Sequence, residues 1–498
     1  MFLGAHGVSS DGYRDNNDLD EKSINSDIRF TTASNELFLK LNWNDQNLDL
    51  PGVREVNPGA SPPVNELQTD RKGSGTPNDY ADQDGYSINP GFTHYWDNGA
   101  EAILDFGYRK KNQQAFFDAY KPFSVQNYLD SDLKTWSFTP RIITPHLLFG
   151  RQSQTTAGID FYDSDYDSDR SQNKSTRGAP IHRLHIDQQS TGIYADTVIS
   201  AGSDTTINLG ARLQWVKLDA RDKFDPNAPG AALAFESGAP DFDDSQRVHM
   251  LEAGIEKQIN PATSGFIKWT RSARVTTVDE LFEFDPSSFV RVFSPLDPQT
   301  ANGVDIGTRY KQGKLSVNAT AYYMRLKNEI HFSPATFENV NLDPTKRYGL
   351  ELSGNVAVTD RLSLQGNYTL LRSKFRDGLY AGNTVPLVPE HTTALTAVWK
   401  QSPATDLSIT ATYIDNKYFD NDQNNSFAKK IPSYKTVDAK LSHTYDDYRF
   451  SAGINNIFEE KAVDYGVSSN FSPGVYNAYP LPERTLLFTV AKSFGGQQ

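Results

Sequence analysis

The stretch TINLGARLQW, residues 206–215, decides the fold class of this chain. Apolar and polar side chains alternate along it without a break, which is the period of a β-strand with two unlike faces. The same alternation recurs at residues 36–43, 314–323, 361–370 and 484–494. The apolar face of the first stretch consists of Ile207, Leu209, Ala211, Leu213 and Trp215.

The composition of the two faces separates two kinds of β protein. In a soluble sandwich the apolar face would be the core, and alternation alone leaves that possibility open. The polar faces here carry Asn, Gln, Arg, Thr and Gly, which suit a water-filled lumen. Aromatic residues end several apolar faces, as the girdles at membrane interfaces do. They are Trp43, Trp215, Tyr323 and Trp399. We therefore predict a transmembrane antiparallel β-barrel.

The connections between strands alternate between short and long. Nine short ones read as tight turns, at residues 31–35, 97–99, 145–146, 202–205, 261–264, 312–313, 359–360, 403–406 and 446–447. Long polar stretches lie between them, at residues 44–84, 110–131, 155–189, 218–246, 327–347, 372–390, 415–433 and 459–483. Short periplasmic turns and long extracellular loops are typical of outer-membrane barrels. Nine turns, one strand before them and one after them predict about 20 strands in a single domain over residues 1–498.

Composition excludes several classes of protein. No run of ~18 apolar residues occurs, so a helical membrane span is excluded. The 24 Tyr and 29 Phe, against 3 Met, favour strands. Cysteine is absent, which removes disulfides and thiolate metal sites. The net charge of −13 argues against nucleic acid as a partner.

A series of short motifs is spread in order over residues 11–494. They are DGYRDNN at 11–17, TRSAR at 270–274, DELF at 279–282, LDPQ at 296–299, VDIG at 304–307, YGLEL at 348–352, YTL at 368–370, VPEH at 388–391, GINNIFEEK at 453–461 and PER at 482–484. Their order and spacing resemble the barrel of TonB-dependent receptors, which import siderophores, cobalamin and related scarce ligands. Val275 stands where that family has proline, Gln299 stands where it has Glu, and Phe494 is not the last residue.

The resemblance implies an outer-membrane protein of a Gram-negative bacterium that takes up a small ligand. A ferric siderophore is the family's commonest case, and outer-membrane lipid and TonB are its other partners. No cofactor is expected, and the chain is expected to be a monomer. The family also has a signal peptide, a TonB box, a plug domain and a barrel of about 22 strands. We find no signal peptide, box or plug in the sequence. We therefore expect a chain that lacks the plug and the first barrel hairpin, and that lacks TonB-coupled transport.

Two alternative functions remain open at this point. A barrel without a plug would be a passive outer-membrane pore. A soluble all-β binding protein would turn its apolar faces inward. An enzyme is not expected, because the sequence has no Gly-x-Ser-x-Gly elbow, phosphate-binding glycine loop or paired histidines on a helix.

Arginine and tyrosine side chains are the usual anchors of a ligand in a polar site. Five of them, on predicted strands and loops, are candidates for ligand binding. They are Arg271, Arg274, Tyr380, Tyr418 and Tyr476.

The densest acidic segment is a weak candidate for a metal site. Its four alternating carboxylates belong to Asp163, Asp165, Asp167 and Asp169. Ca²⁺ prefers such oxygens, but the segment lacks the glycine turn and the closing Glu of an EF-hand loop. The sequence therefore favours a solvated acidic loop. His182 and His185 would lie on opposite faces of a strand, so shared metal ligation by the two is not expected.

Overall fold

Strands account for almost all of the regular structure of this chain. The computed structural model describes residues 1–118, 127–232, 237–285, 290–294, 296–334, 336 and 338–492. Within these ranges the helical elements are one short helix, α1 (Glu66–Thr69), and the 3₁₀ turns Lys174–Thr176 and Val278–Glu280. No helix in the described ranges has the length and apolar character needed to cross a membrane.

The strands follow one another closely along the chain. In chain order they are β1 (Phe2–Ser10), β2 (Leu19–Thr31), β3 (Asn35–Leu48), β4 (Arg54–Asn57), β5 (Val64–Asn65), β6 (Tyr80–Tyr95), β7 (Glu101–Phe116), β8 (Tyr128–Phe138), β9 (Arg141–Leu148), β10 (Arg151–Ser171), β11 (His182–Ser200), β12 (Thr205–Phe224), β13 (Phe242–Asn260), β14 (Thr263–Arg274), β15 (Phe282–Asp285), β16 (Val290–Phe293), β17 (Gln299–Gln312), β18 (Leu315–Lys327), β19 (Glu329–Ser333), β20 (Glu338–Leu342), β21 (Thr345–Ala357), β22 (Leu362–Phe375), β23 (His391–Ser402), β24 (Thr405–Ile414), β25 (Tyr434–Tyr445), β26 (Tyr448–Asn455), β27 (Val463–Ser468), β28 (Tyr476–Pro480) and β29 (Thr485–Lys492).

One large sheet forms the wall of the barrel. It contains 21 strands, each antiparallel to its neighbours. From one side to the other they run β1, β2, β3, β6, β7, β8 with β9, β10, β11, β12, β13, β14, β17, β18, β21, β22, β23, β24, β25, β26 and β29. Because β8 and β9 both lie between β7 and β10, the 21 strands of the described sheet fill 20 positions, and the predicted strand count is confirmed.

A proline interrupts the wall where β8 gives way to β9. Pro140 has no N–H to donate to a ladder, so the strand breaks beside it. Its carbonyl still accepts from Ile159 N, and Thr139 N donates to Asp105 O, at 3.0 and 2.9 Å. The hydrogen bonds of the wall are therefore kept across the break.

One predicted turn is wrong. The chain reverses at Phe149 and Gly150, between β9 and β10, and residues 145–146 lie inside β9. Both turn residues have positive φ, at 52° and 73°, and Gly150 adopts that conformation at no steric cost. Pro145 lies on the short strand β9, where it is paired with Gln154 of β10.

The apolar faces of the wall point outward. Leu209 on β12 and Ile267 on β14 are 47% and 44% exposed, as lipid-facing residues are. All six tryptophans are exposed as well, from 37% at Trp269 to 60% at Trp136. A soluble sandwich would bury these side chains, so the structure corresponds to the barrel and not to the soluble alternative.

Strands β10 to β13 are far longer than a bilayer requires. They contain 21, 19, 20 and 19 residues, whereas about 9–11 residues span a membrane. We call their extensions, residues 163–171, 182–189, 216–224 and 242–247, the hood. Its inner face is apolar and packs on the segment that carries β15 and β16. The buried cluster comprises Tyr166, Leu184, Ile186, Val216, Leu218, Ala220, Ala239, Val278, Leu281 and Phe293.

The prediction of an acidic loop is wrong, because the segment is part of the hood. Asp163, Asp165, Asp167 and Asp169 lie on β10, on the face opposite Tyr166 and Ser168. The segment looked like a loop because it has few apolar residues. It is a strand because β8 and β11 pair with it on both sides.

The first and last strands of the wall each have one partner. β1 pairs with β2 and β29 pairs with β26, and the described residues include no ladder between β1 and β29. Leu3 and Phe488 on these two strands are 63% and 76% exposed.

The outward tryptophans give a test of the membrane-spanning barrel. Refolded into phospholipid vesicles, the protein should lose tryptophan fluorescence when the lipids carry bromine near the headgroup, because the aromatic residues lie at the bilayer interfaces. Bromine at the chain ends should quench less. Vesicles of unbrominated lipid are the control. Fluorescence that responds to aqueous iodide and not to either brominated lipid would rule out the barrel.

Candidate ligand site at the extracellular mouth

The long loops fold over one end of the barrel and pack against one another. Two hairpins, β15–β16 and β19–β20, and a four-stranded sheet of β27, β28, β4 and β5 lie there. Phe419, Ile431, Val463 and Ala478 form a buried cluster that joins the loops to the small sheet. We call this assembly the mouth.

A cavity of about 940 Å³ opens between the loops of the mouth. Its lining comes from four segments that are distant in sequence. It consists of His331, Ser333, Thr336, Val340, Asn341, Leu342, Asp343, Leu379, Tyr380, Asn421, Asp422, Gln423, Asn424, Ser426, Phe427, Ala428, Ser468, Ser469, Asn470, Pro473 and Gly474. Its volume lies within the range of about 300–1,000 Å³ that is usual for small-molecule sites.

Asparagine side chains hold these loops together. Asn425 Oδ1 accepts from Thr384 N at 2.6 Å, and Asn421 Nδ2 donates to Ser468 O at 3.2 Å. Both asparagines have positive φ, at 54° and 68°, a conformation that asparagine tolerates better than most residues. The run Asn421–Asn425 therefore fixes both the turn and its contacts with the neighbouring loops.

A buried acid lies behind the cavity. Asp420 is 4% exposed, and its Oδ2 accepts from Tyr465 Oη at 2.7 Å. His331 Nε2 lies 3.4 Å from the other carboxylate oxygen. Burial alone would raise the pKa of Asp420, but His331 and Tyr465 together hold it below its ordinary value. The carboxylate thus stays ionised and anchors the loop of residues 415–433 to β19 and β27.

Asp422 is the second buried acid and lines the cavity itself. It is 4% exposed, and its Oδ1 accepts from Ser426 N at 2.8 Å and from Phe427 N at 3.1 Å. Its Oδ2 is buried without a hydrogen-bond partner among the described residues. A buried acceptor of this kind is uncommon in native proteins.

The five predicted ligand-binding residues are not gathered at one place. Tyr380 lines the cavity. Tyr418 and Tyr476 lie in neighbouring loops, where Lys430 Nζ is 4.1 Å from the ring centroid of Tyr418 and the ring of Tyr476 packs 4.8 Å from that of Phe419. Arg271 borders a shallower recess on the wall, and Arg274 forms an ion pair with Glu280 at 2.5 Å.

The weak metal candidates lie on the hood, away from the cavity. The ligand atoms of Asp165, His185 and Asp187 lie within 4.8 Å of one another, but all three side chains are about half exposed. His185 Nδ1 donates to Asp167 at 2.9 Å, and this hydrogen bond raises the pKa of the imidazole. A proton on His185 competes with a metal, so ion pairing accounts for the cluster.

His182 lies on the opposite face of β11 from His185. It is fully buried and donates from Nδ1 to Asp222 Oδ2 at 2.9 Å. The predicted separation of the two histidines is therefore confirmed.

Sequence reasoning missed His331, Asp422 and Ser468. His331 and Ser468 lie on the short strands β19 and β27, and Asp422 lies in a turn, so none of these segments is long enough to show a period that reports side-chain direction. The amide-rich run NDQNN at residues 421–425 was the available signal, since Asn and Asp favour tight turns.

The wall consists of antiparallel strands whose apolar side chains point outward. Short turns connect the strands at one end, and loops build a polar cavity at the other end. These features define a membrane-embedded transport barrel. The family of TonB dependent receptor-like β-barrels matches residues 9–457. The chain belongs to this family. Its members are Gram-negative outer-membrane receptors that transport ligands, and they are not enzymes.

Individual relatives agree with that assignment. The chain is 25% identical over 301 residues to a probable TonB-dependent siderophore receptor, PiuA, of Acinetobacter baumannii, an alignment covering 57% of this chain and 38% of that protein. It is 28% identical over 211 residues to the ferrioxamine receptor of Yersinia enterocolitica, covering 40% and 28%. The chain thus aligns with well under two thirds of the length of either relative.

Solved structures share the fold. The unliganded ferric citrate transporter FecA superposes with a TM-score of 0.78 at 15% identity, covering 98% of this chain and 72% of that one. The siderophore receptor PiuA of Acinetobacter baumannii gives 0.76 at 16% identity, covering 98% and 76%.

Glu283 on β15 makes the stability of the mouth depend on pH. The side chain is 6% exposed and accepts from Asn339 of β20, which ties the two hairpins together. Burial raises the pKa of Glu283 to about 7, although the hydrogen bond from Asn339 acts in the opposite direction. The protonated form is therefore favoured by folding, and its contribution is present below pH ~4.5 and lost as the pH rises through about 7.

Glu283→Gln should consequently match the wild type at pH 5 and be more stable at pH 8, by on the order of 2–3 kcal/mol. Thermal unfolding in detergent micelles at the two pH values measures the difference. Asp11→Asn, which removes an exposed carboxylate in the loop after β1, is the control and should show no such gain. A loss of stability at pH 8 in the Glu283 variant would contradict the assigned protonation.

Proposed function

We propose that this chain forms the ligand-binding barrel of a receptor for a ferric siderophore in the outer membrane of a Gram-negative bacterium. The observation that carries the proposal is the cavity of about 940 Å³ in the mouth, built by loops of a barrel of this family. The names of the relatives, a probable siderophore receptor and a ferrioxamine receptor, support an iron chelate as the ligand. Outer-membrane lipid surrounds the wall, and the chain acts as a monomer.

The proposed binding step requires no rearrangement of the loops of the mouth. Tyr380 and Phe427 present aromatic faces to the cavity, and the asparagine and serine groups offer both donors and acceptors. Aromatic anchors in a polar surround give small ligands both area and orientation. Among the five predicted residues, we therefore keep Tyr380 as the first ligand-contacting residue, and place Arg271, Arg274, Tyr418 and Tyr476 at the periphery.

Energised transport in this family depends on TonB. A passive pore is the second possibility. In the described wall, however, β1 and β29 each pair with one neighbouring strand only, and unpaired backbone groups in lipid are costly. A steady single-channel current from the isolated chain in a planar bilayer would support the pore instead.

Tyr380→Ala should weaken binding of a ferric siderophore on the order of tenfold, because the cavity loses an aromatic anchor. Equilibrium dialysis of the detergent-solubilised protein against radioiron-labelled chelates of several classes measures the affinity. Tyr445→Ala removes an exposed tyrosine at the opposite end of the wall and is the matched control. If no ferric chelate binds to the wild-type protein, the proposed function is wrong.

A further inference from the structure

We infer that the outer face of β18, β21 and β22 binds a lipid whose headgroup carries more than one phosphate. The site is a row of cationic side chains on the membrane-facing side of the wall, and it is separate from the cavity of the mouth. The row has no acidic partner of its own in the described part of the chain. Aromatic and aliphatic side chains lie below it, as the chains of a bound lipid require.

Three cationic side chains stand directly opposite one another on these strands. Arg325 of β18 is the ladder partner of Lys346 of β21, and Lys346 is also the partner of Lys374 of β22. Residues opposite each other in an antiparallel ladder have Cβ atoms about 5 Å apart, and like charges in such positions are destabilising. We call these three residues the cationic row.

The side chains of the cationic row point out of the barrel. The residues next to them along the chain, Leu326, Thr345 and Ser373, are almost fully buried, with exposures of 3%, 0% and 2%. Successive residues of a strand point to opposite faces. The cationic row therefore lies on the outer face, where the membrane and its surface are.

No acid of the described chain neutralises the cationic row. None of its three members forms an ion pair with a carboxylate among the residues that the structure describes. Acids of the neighbouring segments are engaged by other arginines: Glu329 by Arg347, Asp377 by Arg376 and Glu390 by Arg372. The positive charge of the row is thus left without a counter-charge from these segments.

Another pair of facing lysines shows how like charges are accommodated elsewhere on the wall. Lys110 on β7 and Lys134 on β8 are also ladder partners. Both contact the same carboxylate, that of Asp132, at 3.0 and 2.9 Å. The cationic row has one cation more than this pair and no comparable acid in the described structure. We therefore expect its counter-charge to come from a bound anion.

An aromatic residue holds the first member of the row against the wall. Arg325 Nε donates to Tyr323 Oη at 3.0 Å, and the guanidinium carbon lies 5.4 Å from the centroid of that ring. The ring of Tyr323 lies 6.4 Å from the ring of Tyr348 on β21. This hydrogen bond uses Nε and leaves the terminal nitrogens of Arg325 for a ligand. Guanidinium groups bind phosphate oxygens with two parallel hydrogen bonds.

The outer face changes from charged to aromatic and then to aliphatic toward the middle of the membrane. Two residues deeper than the row, Tyr323 and Tyr348 are ladder partners, and two residues deeper again Ala321 and Leu350 are partners. Tyrosine collects at membrane interfaces, and aliphatic side chains face the hydrocarbon. The cationic row therefore lies at the depth of lipid headgroups, on the side of the mouth.

The charge of the row favours a headgroup with several phosphates. Its three cations extend over two strand spacings, about 10 Å. A single phosphate contacts one part of this length and leaves positive charge unbalanced. Clusters of lysine and arginine beside a membrane recognise multiply charged lipid headgroups in the same way. Acyl chains of such a lipid can lie against the aliphatic face below.

Two matched lipids test the inference on the detergent-solubilised full chain. Lipid A with two phosphates is compared with lipid A that carries one phosphate and the same acyl chains. A chelator of divalent cations is present, so that no metal ion links a lipid to carboxylates of the protein. Radiolabelled lipid retained by the immobilised protein measures the affinity. The bisphosphorylated lipid should bind at least about tenfold more tightly.

Lys346→Gln removes the central charge of the row. It should weaken binding of the bisphosphorylated lipid at least about fivefold and change binding of the monophosphorylated lipid much less. Lys134→Gln is the matched control, because it removes an outward lysine whose partner Asp132 keeps its contact with Lys110. The control should bind both lipids as the wild type does. Without lipid, Lys346→Gln should unfold at the wild-type temperature or above it, since the substitution relieves repulsion.

Inorganic pyrophosphate is the third probe and distinguishes a lipid from a free anion. At the concentration that saturates the site with lipid, it should not displace the bisphosphorylated lipid, because it lacks the acyl chains. Displacement at that concentration would overturn the lipid site and leave a site for free phosphates. Equal affinity for the two lipids, or equal weakening by Lys134→Gln and Lys346→Gln, would also overturn the inference. None of these results depends on the ligand of the mouth, so the proposed function is tested separately.

Discussion

Hydrogen bonding between neighbouring strands is the interaction on which the rest of this structure depends. Lipid offers no partner to a backbone N–H or C=O group, so every such group in the wall must find one on the adjacent strand. The break at Pro140 shows how closely this requirement is followed, because the carbonyl of that residue and the amide of Thr139 still pair across it. Side chains are then free to differ on the two faces, and apolar groups cover the outside.

The same constraint explains which parts of the fold can be read from the sequence. Where one face meets lipid and the other meets water, a period of two is enforced, and segments such as residues 206–215 show it plainly. Tight turns at the periplasmic end follow from their glycine, asparagine and aspartate residues. The turn at Phe149 and Gly150 has one glycine as its local signal, and the sequence prediction placed this turn a few residues too early.

The hood and the cavity obey different rules, and their sequences are correspondingly harder to interpret. Above the membrane, the outer face of β10 is in contact with water and carries aspartates. This polar composition is typical of a loop, and the sequence therefore predicted one. The apolar partner of its inner face comes from Val278, Leu281 and Phe293, more than a hundred residues later in the chain. The cavity combines side chains from four segments that are distant in sequence, His331, Tyr380, Asp422 and Ser468. No local pattern reports such contacts, because they depend on which strands are neighbours in the wall.

The wall and the mouth therefore meet different requirements of a receptor. The wall is held in one arrangement by backbone hydrogen bonds along the full length of each strand. The mouth is held instead by a small number of buried polar groups, Glu283 with Asn339, Asp420 with Tyr465 and the asparagines of the 421–425 turn. A buried polar group stabilises the fold when it is hydrogen-bonded and destabilises it when it has no partner. A single unpartnered atom such as Asp422 Oδ2 therefore affects the stability of the mouth more than it would affect the stability of the wall. Selectivity for a ligand can thus be set in the loops by single residues, while the barrel that carries them stays the same.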